Sequence, residues 1–148
     1  MILSHQQLPD LKRQSCKDHC YKVITCMQYV HNTLGPAMPE YVYQEALAIK
    51  LKQEGFDICR EYQHHPVFDN QVLSSYIKLD ILVKLPDGNI IIECKSIADI
   101  GDREQVQTFG YLCGTQFPYA LLVNFGTYPK AQIERYYYDT EANIISSF

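Results

Sequence analysis

The sequence predicts an α/β fold with the element order α-α-β-β-β-α-β-β. Three observations carry this expectation. Apolar residues recur at helical spacing through the first third of the chain. Residues 77–95 alternate in hydrophobicity around a Pro-Asp-Gly-Asn turn, the pattern of a hairpin. Tyr119 to Phe125 is almost continuously apolar and follows a helical stretch, as a buried, parallel-type strand does after a crossover helix. At 148 residues the chain is read as one domain spanning 1–148, long enough to bury a core.

The elements follow in order. Residues 1–9 read as a polar, frayed start. From Asp10 a helical stripe forms through Leu11, Cys16, Cys20, Val23, Ile24, Met27, Val30 and Leu34, and Gly35-Pro36 stops it. A second helix begins near Pro39, suited to a first turn, and runs to about Glu54 before Gly55. Its stripe is Glu40, Tyr43, Gln44, Leu47 and Leu51. A strand is expected over 56–68, with Asp69-Asn70 turning it. His64 and His65 are adjacent, so on a strand they point to opposite faces and do not chelate one metal together. After the hairpin come a helix over 99–113, the strand 119–125 and a last strand, 132–138, placed at an edge.

The hairpin carries a charged trio, Asp80, Glu93 and Lys95. Alternation puts Ile77, Leu79, Ile81, Val83 and Leu85 on one face of the first strand and Asp80 on the other. In the second strand Ile90, Ile92 and Cys94 oppose Ile91, Glu93 and Lys95. Matching the apolar faces pairs Val83 with Ile92 and Ile81 with Cys94. Asp80 and Glu93 then become diagonal neighbours, roughly 7–8 Å apart at the backbone. Two carboxylates at that separation can share a hard divalent cation, and a neighbouring lysine can orient the attacking water. The plainer reading of the trio is a cross-strand ion pair of small energetic consequence. Glu40, in a first helical turn, reads more plainly as a dipole-compensating carboxylate. Gln107 and Tyr111, four apart, share one face of the third helix, with Glu104 one turn earlier.

Composition narrows the classes of function. A content of 47% hydrophobic and 20% charged residues is that of a soluble globular protein. The net charge of −4 argues against a protein that coats nucleic acid electrostatically, though not against an enzyme that meets phosphate through a metal. No run of 18 apolar residues predicts a membrane span, and the N-terminus lacks a basic segment followed by an apolar one, so a cytoplasmic location is expected. The six cysteines contain no Cys-x-x-Cys pair. Cys16, Cys20 and Cys26 match no standard ligand spacing, which favours buried, reduced thiols.

Taken together, these segments resemble the GxxExxY family of small bacterial and archaeal proteins, within the PD-(D/E)xK nuclease superfamily. Residues Leu34 to Leu47 look like its signature segment. Leu79-Asp80-Ile81-Leu82-Val83 and Ile92-Glu93-Cys94-Lys95 resemble its metal-site strands. Gln107-x3-Tyr111-Leu112 is similar to the Q-x3-Y element shared with RecB-like nucleases, and Leu121 to Gly126 looks like its buried strand. Two positions depart from the pattern: Ala37 stands where the signature has Gly, and Leu79 where the superfamily name implies Pro.

The resemblance implies a restriction-endonuclease-like core, a mixed central sheet flanked by helices, with its site at the hairpin. It implies that Asp80, Glu93 and the backbone carbonyl of Cys94 ligate Mg²⁺ or Mn²⁺, with Glu40 reaching the metal or its waters. Lys95 would position the water, and Gln107 and Tyr111 would orient the lysine or contact DNA. The leading reading is thus a metal-dependent nuclease acting on DNA. A catalytically silent module of the same fold, binding nucleic acid or protein, is the rival reading. A homodimer joined through Tyr136-Tyr137-Tyr138 is a third.

Overall fold

The computed structural model describes residues 2–4 and 8–148. Its elements are β1 (Ile2–Ser4), α1 (Asp10–Leu34), α2 (Glu40–Gln53), β2 (Asp57–His64), β3 (Val67–Phe68), β4 (Gln71–Val72), β5 (Ile77–Lys84), β6 (Ile90–Lys95), α3 (Asp102–Thr115), β7 (Tyr119–Asn124), β8 (Gln132–Asp139) and β9 (Ile144–Ser147). Of the polar start expected over 1–9, residues 1 and 5–7 lie outside the described residues, and 2–4 form β1.

One seven-stranded mixed sheet runs in the order β1-β9-β8-β7-β6-β5-β2. The β6–β7 and β1–β9 pairs are parallel and the others antiparallel. The parallel pair β6–β7 is joined by α3, the crossover that the apolar β7 pattern predicts. Helices α1 and α2 cover one face through Cys16, Cys20, Val23, Met27, Leu47 and Leu51. Helix α3 covers the other through Phe109 and Leu112. The mixed sheet flanked by helices is the one expected.

Both N-terminal helices keep their predicted spans. Leu11 does not belong to the stripe: it is 90% exposed, because its five-residue step to Cys16 takes it off the buried face. Gly55, at φ 88°, closes α2 as the Phe56 N–H donates to the Leu51 carbonyl at 3.0 Å. Helix α3 runs past Cys113, through Gly114, to Thr115. Cys16, Cys20 and Cys26 sit in the core, and burial pushes the Cys20 thiol up to about 12, so it stays protonated. All six cysteines are free thiols. No helix among the described residues is long and apolar enough to cross a membrane.

Two strand expectations need correction. The strand placed over 56–68 ends at His64, and β3 pairs with β4 as a separate small hairpin around the left-handed residues Asp69 and Asn70. The aromatic strand β8 is not an edge, because β9 and then β1 add beyond it. Tyr136 and Tyr138 are consequently buried, at 5% and 4% exposure. His64 and His65 do diverge, His64 against Phe117 and His65 against Tyr76.

The central hairpin also differs in two ways. Its ladder pairs Ile81 with Ile92, Leu82 with Ile91 and Val83 with Ile90, two residues from the expected register. An even slip preserves the faces of β6, so hydrophobic pattern does not choose between the two registers. The turn chooses: the Gly88 N–H donates to the Leu85 carbonyl at 3.1 Å, and the Asn89 side chain accepts from the Leu85 N–H at 3.1 Å. Secondly, the alternation along β5 breaks. Ile81 and Val83 pack on the α1–α2 side, whereas Ile77 and Leu79 pack with Leu82 on the α3 side. The strand turns over at Asp80. Across from Asp80 in the β2–β5 register stands Glu61, whose φ of 50° turns β2 over at the same level.

Gly88 sits at φ 141°, and a Cβ there would lie 2.9 Å from both Pro118 Cγ and Tyr119 Cε2. The carbonyl of the same residue accepts from His19 Nε2 of α1 at 2.8 Å, pinning the hairpin tip. Gly88→Ala is expected to destabilise the protein by about 2 kcal/mol, seen as a lower urea midpoint at unchanged slope. A midpoint equal to that of the parent protein would show that the tip yields freely.

Candidate active site

Where β5 turns over it also leaves β6, and two carboxylates fill the fork. Continued one step, the β5–β6 register sets Asp80 opposite Glu93 rather than diagonal to it. Side chains here replace the ladder. The Asp80 N–H donates to Glu93 Oε1 at 3.1 Å, and the Cys94 N–H donates to Asp80 Oδ2 at 2.8 Å. Each carboxylate is thereby fixed by the other strand's backbone.

This geometry is electrostatically costly. Burial raises the pKa of Glu93 well above the usual carboxylate range, and the Asp80 charge raises it further. Burial also raises Asp80, against the opposing Cys94 N–H and the Lys95 charge. Glu93 is 4% exposed. Among the described residues no lysine or arginine nitrogen comes within 4.0 Å of either carboxylate; the ion pairs are Lys50–Glu54 and Lys78–Glu61.

Helix α2 supplies one wall. Glu40 opens it, on its exposed first turn. Lost hydration raises the Glu40 carboxyl, Lys95 opposes, and Asp80 adds to the rise. All three charges therefore act on one another across the fork. The turn before α2 is built around Tyr43, whose ring stacks on Phe125 at 4.5 Å. Its hydroxyl donates to the Gly35 carbonyl and accepts from the Met38 N–H. Ser96 Oγ, just beyond Lys95, donates to the Met38 carbonyl at 2.8 Å. The entry to α2 is thus tied both to its own helix and to the end of β6. One helical turn after Glu40, the buried Gln44 opposes part of the rise in the Asp80 pKa and accepts from Arg60 Nη2 at 3.1 Å. Neither Gln44 nor Arg60 was singled out by motif, although the four-residue spacing from Glu40 places Gln44 on the same helix face.

Helix α3 supplies the other wall. Lys95 Nζ donates to Gln107 Oε1 at 3.3 Å, the partnership expected from the motif. Tyr111 is half-buried; burial raises its pKa first, and Glu93 and Asp80 add to the rise. Glu104 does not join them, for its carboxylate accepts from the Gly101 N–H at 3.0 Å and closes the start of α3. Between β6 and α3, the buried Asn124 accepts from the Ile97 N–H and donates to the Ile97 carbonyl, both at 3.0 Å. Gly126 is obligatory beside it, since a Cβ there would stand 2.3 Å from the Ile97 oxygen.

The donor set suits a hard divalent cation. Two carboxylates whose pKa values are raised by burial, Glu93 further by the Asp80 charge, and that have no ion-pair partner are stabilised by a bound cation, and Mg²⁺ commonly takes one or two carboxylates while keeping waters. The Cys94 thiol points into the core and is no candidate ligand. Among the described residues no group of three His, Cys, Asp or Glu side chains is placed to hold a metal ion. A raised carboxyl pKa stabilises the fold while the group is protonated, and that contribution fades as pH rises above the unfolded value near about 4.3. Glu93→Gln, which keeps an acceptor for the Asp80 N–H, is therefore expected to raise the metal-free melting temperature at pH ~7 by about 2–4 °C. The gain should shrink as pH falls toward ~4, and the variant should lose any stabilisation by Mn²⁺. A lower melting temperature at neutral pH would contradict this electrostatic account.

The profile of the PD-(D/E)XK nuclease superfamily matches residues 17–136. Neither a curated protein nor a solved structure matches the chain. The matched span runs from α1 to β8 and contains the fork with both of its walls. The chain belongs to the PD-(D/E)XK nuclease superfamily, and its helix-flanked mixed sheet is the restriction-endonuclease-like fold.

Proposed function

We propose that this protein hydrolyses DNA phosphodiester bonds with Mg²⁺ or Mn²⁺, and that within its superfamily it falls in the GxxExxY group. The observation that carries the reading is two opposed carboxylates in a sheet fork beside a lysine that does not neutralise them. Asp80, Glu93 and the Cys94 backbone carbonyl would hold the cation, with Glu40 reaching the metal or its waters. A cation bound there would supply Lewis-acid chemistry, activating water near neutral pH and offsetting charge on the phosphate. Gln107 holds Lys95 toward α3, where the ammonium orients the water and offsets charge building on the phosphoryl oxygens. Tyr111 lines the same wall and meets the DNA backbone. In the GxxExxY reading, Tyr43 binds the turn before α2 and so presents Glu40. Six free thiols fit a reducing, cytoplasmic setting. With a net charge of −4, affinity for DNA is expected to be weak without the cation.

The test is cleavage of plasmid and linear DNA by the purified protein with Mn²⁺. Lys95→Ala and Asp80→Asn are each expected to lower the rate by about 10²–10³-fold, with both variants folded. Equal cleavage by the parent protein and Lys95→Ala would exclude this chemistry, and no cleavage by any of them would favour a silent binding module.

A further inference from the structure

We infer that Arg60 is a second phosphate-binding group of this site, anchored through Gln44 beside the Asp80 carboxylate. The inference rests on the nuclease reading above and adds a residue that the superfamily motif does not contain.

The backbone brings Arg60 there. Ile58 packs on the α1–α2 side, whereas Tyr62 packs on the α3 side. The crossover between them is Glu61, at φ 50°. A glutamate adopts that left-handed conformation only where its surroundings impose it, and such residues cluster at working sites. Because β2 turns over after Arg60, the guanidinium stays on the α2 side, where Nη2 reaches Gln44 Oε1 at 3.1 Å. Gln44 is only 9% exposed, and the amide that holds the arginine also opposes the rise in the Asp80 pKa.

That anchor leaves most of the guanidinium free. It carries five N–H donors in a planar fork that matches phosphate oxygens in pairs. Among the described residues no carboxylate lies within 4.0 Å of Arg60, and the residue is exposed. Three other cations are engaged elsewhere: Lys50 with Glu54 and the Tyr29 ring, Lys78 with Glu61, and Lys12 over the Tyr137 ring. Lys95 lies toward α3 and Arg60 toward α2. A strand whose scissile phosphate rests in the fork would find a cation on either side.

Fluorescence anisotropy of a short labelled DNA duplex tests this, with Ca²⁺ in place of Mg²⁺ and KCl varied. Arg60→Ala is expected to weaken binding about tenfold and to flatten the log–log salt slope by about 1. Arg60→Gln, which keeps a donor for Gln44, should lose the same slope even if the alanine variant melts early. Arg60→Lys should keep the slope but not the full affinity. Gln44→Leu should keep the slope and weaken binding by releasing the anchor. An unchanged affinity and slope in Arg60→Ala or Arg60→Gln, in a protein whose Mn²⁺-dependent cleavage still requires Asp80, would overturn this inference alone. A parent protein that cleaves no DNA overturns the nuclease reading, and the role of Arg60 with it.

Discussion

Two carboxylates are held face to face where a β-ladder should be, and the rest of the molecule is arranged to keep them there. Asp80 and Glu93 take hydrogen bonds that neighbouring strands would ordinarily exchange between backbones. A sheet tolerates this only where its strands are already diverging. The tight turn at Leu85–Gly88, pinned by His19, fixes the closed end of the hairpin, and the turning-over of β5 at Asp80 opens the other. Pairing of β6 with β7 along its whole length keeps the fork rigid. Charge repulsion is thus stored in a frame that cannot relax by moving strands apart.

The fork is useful because both helical layers reach it. From one face α2 brings Glu40 and Gln44; from the other α3 brings Gln107 and, half-buried, Tyr111. A residue at a regular strand position would address one layer only. Asp80 lies at the point where the ribbon rotates, so it faces neither layer alone. Catalytic preorganisation asks for groups held by rigid elements and backed by further hydrogen bonds. Here the backing consists of Tyr43 and Ser96 around the turn before α2, and of Asn124 around the loop after β6.

Much of this was legible in the sequence, because helical and strand periodicity are local signals. The spans of α1 and α2, the central hairpin and the buried β7 follow from spacing, while the Lys95–Gln107 partnership is one the family resemblance implies. The remainder depends on information that spacing does not carry. Registers that differ by two residues bury the same side chains, so only the bond across the turn separates them. The reversal of β5 is invisible in its own alternation, since Ile77, Leu79 and Ile81 look alike whichever layer they enter. Its partner reversal is carried by the backbone of a glutamate, a residue with no reputation for positive φ. The tyrosine strand was placed at an edge because β9 is short and β1 lies at the far end of the chain, both too brief to register as pattern. Gln44 has no role legible in its spacing, because a glutamine on a stripe of core residues reads as flank until its bond to Arg60 is seen.

The kink at Glu61 bears on more than the site. Among the described residues β2 is the outermost strand on its side of the sheet, and an outermost strand offers its unused N–H and C=O groups to any passing chain. A left-handed residue in mid-strand breaks that row, and the exposed Asp57, Arg60 and Glu61 add charge along it. An incoming strand could pair with only a few residues before its register failed. The distortion that turns Asp80 into the fork therefore also blunts the rim of the sheet against self-association.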